Sequence, residues 1–112
     1  MSEQEKYIIL IEHLKKKASE ILPKGSQVAL YGSRARGDAR PNSDWDIHIL
    51  IPGEEKIALQ LWDEFALPLA DAGLTLGEIV NPSLYSYTGW KKRSFMPFYK
   101  NVEKDKVIIF NN

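Results

Sequence analysis

Eight residues, Asp44-Trp45-Asp46-Ile47-His48-Ile49-Leu50-Ile51, constrain the fold more than any other part of the chain. Trp45, Ile47, Ile49 and Ile51 recur at every second position, the period of a β-strand and not of a helix. A strand of this kind turns one wholly apolar face inward and needs a covered sheet to hold it. The opposite face carries Asp44, Asp46, His48 and Leu50, and Pro52-Gly53 ends the run. Carboxylates at the start of an otherwise apolar strand disfavour folding unless something compensates them. Asp44 and Asp46 are therefore the first candidate site residues.

The flanking sequence alternates between helical and strand patterns. From Ser2 to Leu22 the apolar residues Tyr7, Ile8, Leu10, Ile11, Leu14, Ala18, Ile21 and Leu22 follow helical spacing, with Ser2 as N-cap and Pro23-Lys24-Gly25 as the stop. Gln27 to Tyr31 reads as a short buried strand, and Ser33 to Gly37 as the start of a short helix. Residues 54 to 72 predict a second long helix, bent or broken near Pro68. Leu74 to Val80 predicts a third strand, stopped by Asn81-Pro82. Ser83 to Arg93 and Pro97 to Glu103 read as helices, and Val107 to Phe110 as a short extended segment. Helices alternating with strands predict an α/β fold, a small mixed β-sheet with helices packed on it.

At 112 residues the chain is expected to form a single domain, 1–112, with one core. It contains no cysteine, which excludes disulfides, thiolate metal ligands and a cysteine nucleophile. No apolar run has the length needed to span a bilayer, and the start MSEQEKY does not resemble a signal peptide, so a cytoplasmic location is expected. Lysines and arginines balance aspartates and glutamates, so strong non-specific nucleic-acid binding is not expected. The balance is uneven along the chain. Residues 54–78 carry six acids against Lys56, whereas residues 81–112 carry six bases against Glu103 and Asp105. A solvated helix face accounts for most such runs.

The chemistry concentrates between residues 32 and 46, Gly-Ser-Arg-Ala-Arg-Gly-Asp-Ala-Arg-Pro-Asn-Ser-Asp-Trp-Asp. Strand residues two apart share a face, with Cα atoms roughly 6.6 Å apart. Two carboxylates so placed can share hard cations through oxygen ligands, and two-metal displacement needs such carboxylates to clamp attacking and leaving oxygens. The turn at Gly32-Ser33 offers backbone N–H groups and a hydroxyl to a nucleotide phosphate. Cation site and phosphate cradle on adjacent strands point to phosphoryl or nucleotidyl transfer. A third carboxylate is usually recruited from a neighbouring strand, and Glu78, in the predicted strand Leu74–Val80, is the candidate.

The spacing Gly32-Ser33, ten residues, Asp44-Trp45-Asp46 resembles the G-S-x10-D-x-D signature of the polymerase-β-type nucleotidyltransferase superfamily. The wording GSRARGDARPNSDWD is similar to its small prokaryotic branch, the minimal nucleotidyltransferases (MNT), many of which are encoded beside HEPN-domain proteins as toxin–antitoxin pairs. The resemblance implies the polymerase-β-like fold, ATP as substrate, and Mg²⁺, two ions, held by Asp44 and Asp46. Glu78 would complete the metal site or act as general base, although Asp is the commoner residue there. Gly32 and Ser33 match the phosphate-binding turn, and Arg36, followed by Gly37 as in the family wording, is the favoured triphosphate contact over Arg34.

At this length no second domain to hold an acceptor is expected. The resemblance implies AMP transfer onto a tyrosine of a partner HEPN toxin, an antitoxin role. The alternatives are a small-molecule, aminoglycoside-like nucleotidyltransferase assembled as an oligomer, or an antitoxin that acts by binding alone. His48 shares the Asp face but is a poor ligand for hard Mg²⁺. The aromatic residues Tyr85, Tyr87, Trp90, Phe95, Phe98 and Tyr99 are expected to serve core packing, with one or two rings lining a nucleotide pocket or a partner surface.

Overall fold

The computed structural model describes residues 1–112. Its elements are α1 (Glu3–Ile21), β1 (Gln27–Tyr31), α2 (Ser33–Arg36), β2 (Trp45–Ile51), α3 (Leu59–Leu61), a π-helical turn (Trp62–Ala66) and α4 (Leu67–Asp71). After a 3₁₀ turn (Leu74–Leu76) come β3 (Val80–Ser86), α5 (Tyr87–Lys91), α6 (Pro97–Asp105) and β4 (Val107–Asn111). The four strands form one mixed sheet in the order β3-β2-β1-β4. β1 runs antiparallel to β2 and β4, and β2 runs parallel to β3. A parallel pair requires a long crossover, which the helical run from α3 to α4 supplies.

The expected alternation in β2 places Trp45, Ile47, Ile49 and Ile51 in the main core with Val28 and Leu30 of β1. α1 covers this face with Leu10, Leu14 and Ala18, one turn apart, all at most 1% exposed. Each of these two leucines contributes about 2 kcal/mol by burial. Ser2 caps α1 by accepting from the Glu5 amide at 3.1 Å.

The break expected near Pro68 is a π turn. Pro68 has no N–H for the helical ladder, and its ring crowds the carbonyl one turn back. The chain accommodates this by widening the preceding turn, where the Leu67 amide reaches the Trp62 carbonyl. The helix starts at Leu59 rather than at residue 54.

The third strand is displaced from its expected position. Leu74–Leu76 is a 3₁₀ turn, and β3 runs from Val80 to Ser86, through Asn81-Pro82 and into the segment expected to be helical. β3 lies at the sheet edge. The Ile79 carbonyl accepts from Trp45 N on β2, so backbone alternation turns Asn81 and Ser83 toward β2 and Pro82 toward the open edge. There a missing N–H costs no ladder bond. The helix beyond it shrinks to α5, capped by Ser86, whose hydroxyl accepts from Gly89 N at 2.9 Å.

The Asp face of the sheet is covered over only part of its area. α5 and α6 pack there through Leu50, Trp90 and Val102, against Tyr31, Tyr85, Phe98 and Tyr99. Tyr85, Trp90, Phe98 and Tyr99 thus serve as core, as expected, whereas Tyr87 and Phe95 are exposed. The uncovered part holds the end of β1 and the starts of β2 and β3.

Candidate functional site

Three chain segments meet at that uncovered corner. β1 delivers the turn at Gly32, β2 starts with Trp45 directly after Asp44, and β3 presents Asn81. Asp46 pairs in register with Tyr31 on one side and with Asn81 on the other. Gly32 has φ +73°, and a Cβ built there would lie 2.7 Å from Asp46 Oδ2. Only glycine lets the turn sit against that carboxylate at this backbone angle. Gly32 and Asp46 are therefore in contact, and Ser33 begins α2, whose Ala35 and Arg36 amides donate back to the Gly32 carbonyl.

The two carboxylates converge on one group. Asn81 Nδ2 donates to Asp44 Oδ2 at 3.0 Å and more weakly to Asp46 Oδ1 at 3.4 Å. Asp44 is exposed and Asp46 half-buried. Partial burial raises the Asp46 pKa, reinforced by the Asp44 charge, while the Asn81 hydrogen bond and Arg36 pull it back. Two carboxylates and an amide form an oxygen-rich donor set of the kind Mg²⁺ takes. The residues fit a hard cation.

Glu78 does not join them. It precedes β3 rather than lying within it, and its buried carboxylate pairs with Lys6 of α1 at 2.9 Å. No three acidic, histidine or cysteine residues are arranged so that together they could hold a metal ion. The expected arrangement of three carboxylates is not brought together in this fold. The displaced β3 brings Asn81, not Glu78, beside Asp46.

The two arginines of α2 have separate roles. Arg34 is nearly enclosed, with its guanidinium 4.2 Å from the Trp45 ring centre. It donates to Ser43 O at 2.9 Å, Pro41 O at 3.3 Å and Glu3 at 3.1 Å. It staples the loop before Asp44 to α1 and α2. Arg36 is exposed, paired with Asp105 at 2.8 Å and Asp38 at 3.1 Å. These two acids raise its pKa, Asp105 foremost. Arg36 thus stands at the open corner, tethered to the end of α6.

His48 lies deeper on the same face. Its ring sits 4.0 Å from that of Trp90, and Nδ1 bonds Ser83 Oγ at 2.7 Å. Burial depresses its pKa to about 4, against a smaller opposing effect of Glu103. It is a neutral core histidine. Asn81 and Asp105 were missed by sequence reasoning. A polar residue before Pro82 reads as a turn until the register of β3 is known, and Asp105 reads as one charge in a mixed run.

The model of the family described as "Nucleotidyltransferase domain" matches residues 11–110. The chain belongs to this family. It is a nucleotidyltransferase, and the corner of Gly32, Ser33, Asp44 and Asp46 falls within the matched range. No curated protein compared with this nucleotidyltransferase matches it. Among solved structures, a protein of Sulfolobus solfataricus assigned as a nucleotidyltransferase superposes with a TM-score of 0.63 at 23% identity. The likeness covers 97% of this chain and 86% of that one. A toxin–antitoxin structure with AMP-PNP superposes at 0.59 and 19% identity, covering 91% of this chain and 73% of the other. A mutant form of the toxin–antitoxin MntA–HpeT gives 0.58 and 18%, with the same coverage. These neighbours share the α/β fold with its small mixed sheet.

Proposed function

We propose that this nucleotidyltransferase transfers AMP from ATP to a hydroxyl acceptor, a tyrosine of a partner HEPN-class toxin, and so acts as an antitoxin. The observation that carries the reading is the contact between the Gly32 turn and the Asp46 carboxylate, with Asp44 beside it. A phosphate cradle and a cation site then share one corner. The fold shared with antitoxin-containing structures, one of them with AMP-PNP, supports the system and the nucleotide.

In this reading the backbone amides of the turn and the Ser33 hydroxyl hold phosphate oxygens. Arg36, held by Asp38 through Nε and by Asp105 through Nη1, turns its remaining Nη2 to the triphosphate, whose charge it neutralises. Asp44 and Asp46 would hold Mg²⁺, which when bound would supply charge neutralisation at the triphosphate and lower the pKa of the acceptor hydroxyl. The acceptor oxygen forms a bond to the α-phosphorus and releases its proton to water, while the bond from that phosphorus to the bridging oxygen breaks and pyrophosphate leaves. Rate enhancement comes from positioning and electrostatics.

The test incubates α-labelled ATP and Mg²⁺ with the purified protein, with and without the product of the adjacent gene. Label on a tyrosine of that partner is the expected result. Label on aminoglycosides but not on the partner would replace it with a small-molecule transferase. A second reading, neutralisation by binding alone, is favoured by one observation, the neutral Asn81 beside the carboxylate pair. It prevails if Asp44→Asn/Asp46→Asn protein still neutralises fully and no label moves.

A further inference from the structure

A site that holds two divalent ions needs a carboxylate on a neighbouring strand to share the load with Asp44 and Asp46. Here both register partners of Asp46 are neutral: Tyr31 on β1 and Asn81 on β3. Farther along the same face of β3, Ser83 is bonded to His48 and Tyr85 is packed among aromatic rings. The other nearby acids are each committed to a cation. Glu78 pairs with Lys6, Glu3 with Arg34, and Asp38 and Asp105 with Arg36. Two carboxylates therefore remain for metal, whose combined charge matches one divalent ion.

Asn81 is placed to be that ion's third ligand. Its amide group lies 3.0 and 3.4 Å from the two carboxylates, with the donor nitrogen turned toward them. A half-turn about the terminal side-chain bond exchanges Nδ2 for Oδ1 at nearly the same point, replacing a donor with an acceptor without backbone movement. With the nitrogen inward, the amide bridges the carboxylates and offsets part of their repulsion. With the oxygen inward, the amide would offer a cation the neutral ligand that amide oxygens supply at hard-cation sites.

We infer that Asn81 makes this a one-cation site, with Asp44, Asp46 and the Asn81 carbonyl as its protein ligands. The inference rests on the proposed nucleotide site and departs from the two-ion expectation. It requires that the ion held by the carboxylates be the same one that meets the triphosphate.

Equilibrium dialysis with Mn²⁺ and a non-hydrolysable ATP analogue, counting both in the protein chamber, tests it without catalysis. The wild-type protein is expected to retain about one Mn²⁺ per bound nucleotide, and Asn81→Asp about two. Asn81→Leu keeps the size but removes the carbonyl, and nucleotide-free Mn²⁺ affinity is expected to fall about tenfold. Asn81 is exposed, and a thermal melt of each variant reports whether it is folded. Two ions per nucleotide in the folded wild type overturn the one-cation inference and leave the nucleotide site standing. Unchanged Mn²⁺ affinity in folded Asn81→Leu overturns the ligand role. Wild-type protein that retains neither nucleotide nor Mn²⁺ overturns the inference together with the proposed site.

Discussion

The Asp46 carboxylate rests against Gly32, so close that a Cβ on Gly32 would stand 2.7 Å from Oδ2. The Gly32 turn and the Asp46 carboxylate, the two halves of the proposed site, are thus packed against each other. Gly32→Ala meets both this collision and a backbone angle of +73°. It is expected to lower stability by at least about 1 kcal/mol and to abolish nucleotide binding, read by chemical denaturation and by nucleotide titration. A variant that binds ATP normally would separate the turn from the carboxylate.

Arg34 and Arg36 are expected to fail in opposite ways. Arg34 lies over Trp45 and holds the loop carbonyls of Pro41 and Ser43. Arg34→Lys cannot reproduce that planar fork, and a stability loss of about 2 kcal/mol is expected. Arg36 is exposed, so Arg36→Ala should leave the melting temperature nearly unchanged while weakening nucleotide binding about tenfold. The reverse pattern would reassign the two residues.

Glu78 provides a second separation of roles. Its pair with Lys6 joins the segment before β3 to α1. Glu78→Gln is expected to lower the melting temperature and leave Mn²⁺ affinity unaltered. A fall in metal affinity comparable with that of Asp46→Asn would return Glu78 to the metal site.

The buried histidine predicts an acid-sensitive fold. An unfolded histidine titrates near 6.5, whereas burial holds His48 at about 4. Below the unfolded value the unfolded chain takes up a proton that the folded chain does not. The contribution to stability is therefore complete above pH 6.5, declines as pH falls toward 4, and is lost below it. That loss amounts to about 3 kcal/mol. His48→Phe, which keeps a ring against Trp90, is expected to show a smaller decline between pH 6.5 and 4 in parallel urea titrations. Identical slopes for the two proteins would place the histidine's proton uptake elsewhere.

Much of this corner is legible along the chain because it is local. Gly32, Ser33, Asp44 and Asp46 belong to one strand–turn–strand segment, and the alternation of β2 alone puts both carboxylates on the face opposite Trp45 and Ile47. α1 was readable for the same reason, since Leu10, Leu14 and Ala18 repeat at helical spacing. β3 was not. Asn81-Pro82 has the composition of a strand end, and Leu74 to Val80 has the apolar content of a strand. Arg34 was also ambiguous, because only the folded loop brings Trp45 beneath its guanidinium.

The sequence by itself determined the pair of carboxylates, the phosphate turn and the strand that carries them, because side-chain direction in a strand follows from residue parity. The tertiary structure decided what stands beside them. Whether a proline ends a strand depends on which side of it another strand lies, and β3 has a neighbour on one side only. That edge position lets the strand run through Pro82, sets Asn81 against Asp46, and leaves Glu78 to Lys6. Parity is a local property of the chain, whereas register between strands is settled by long-range packing.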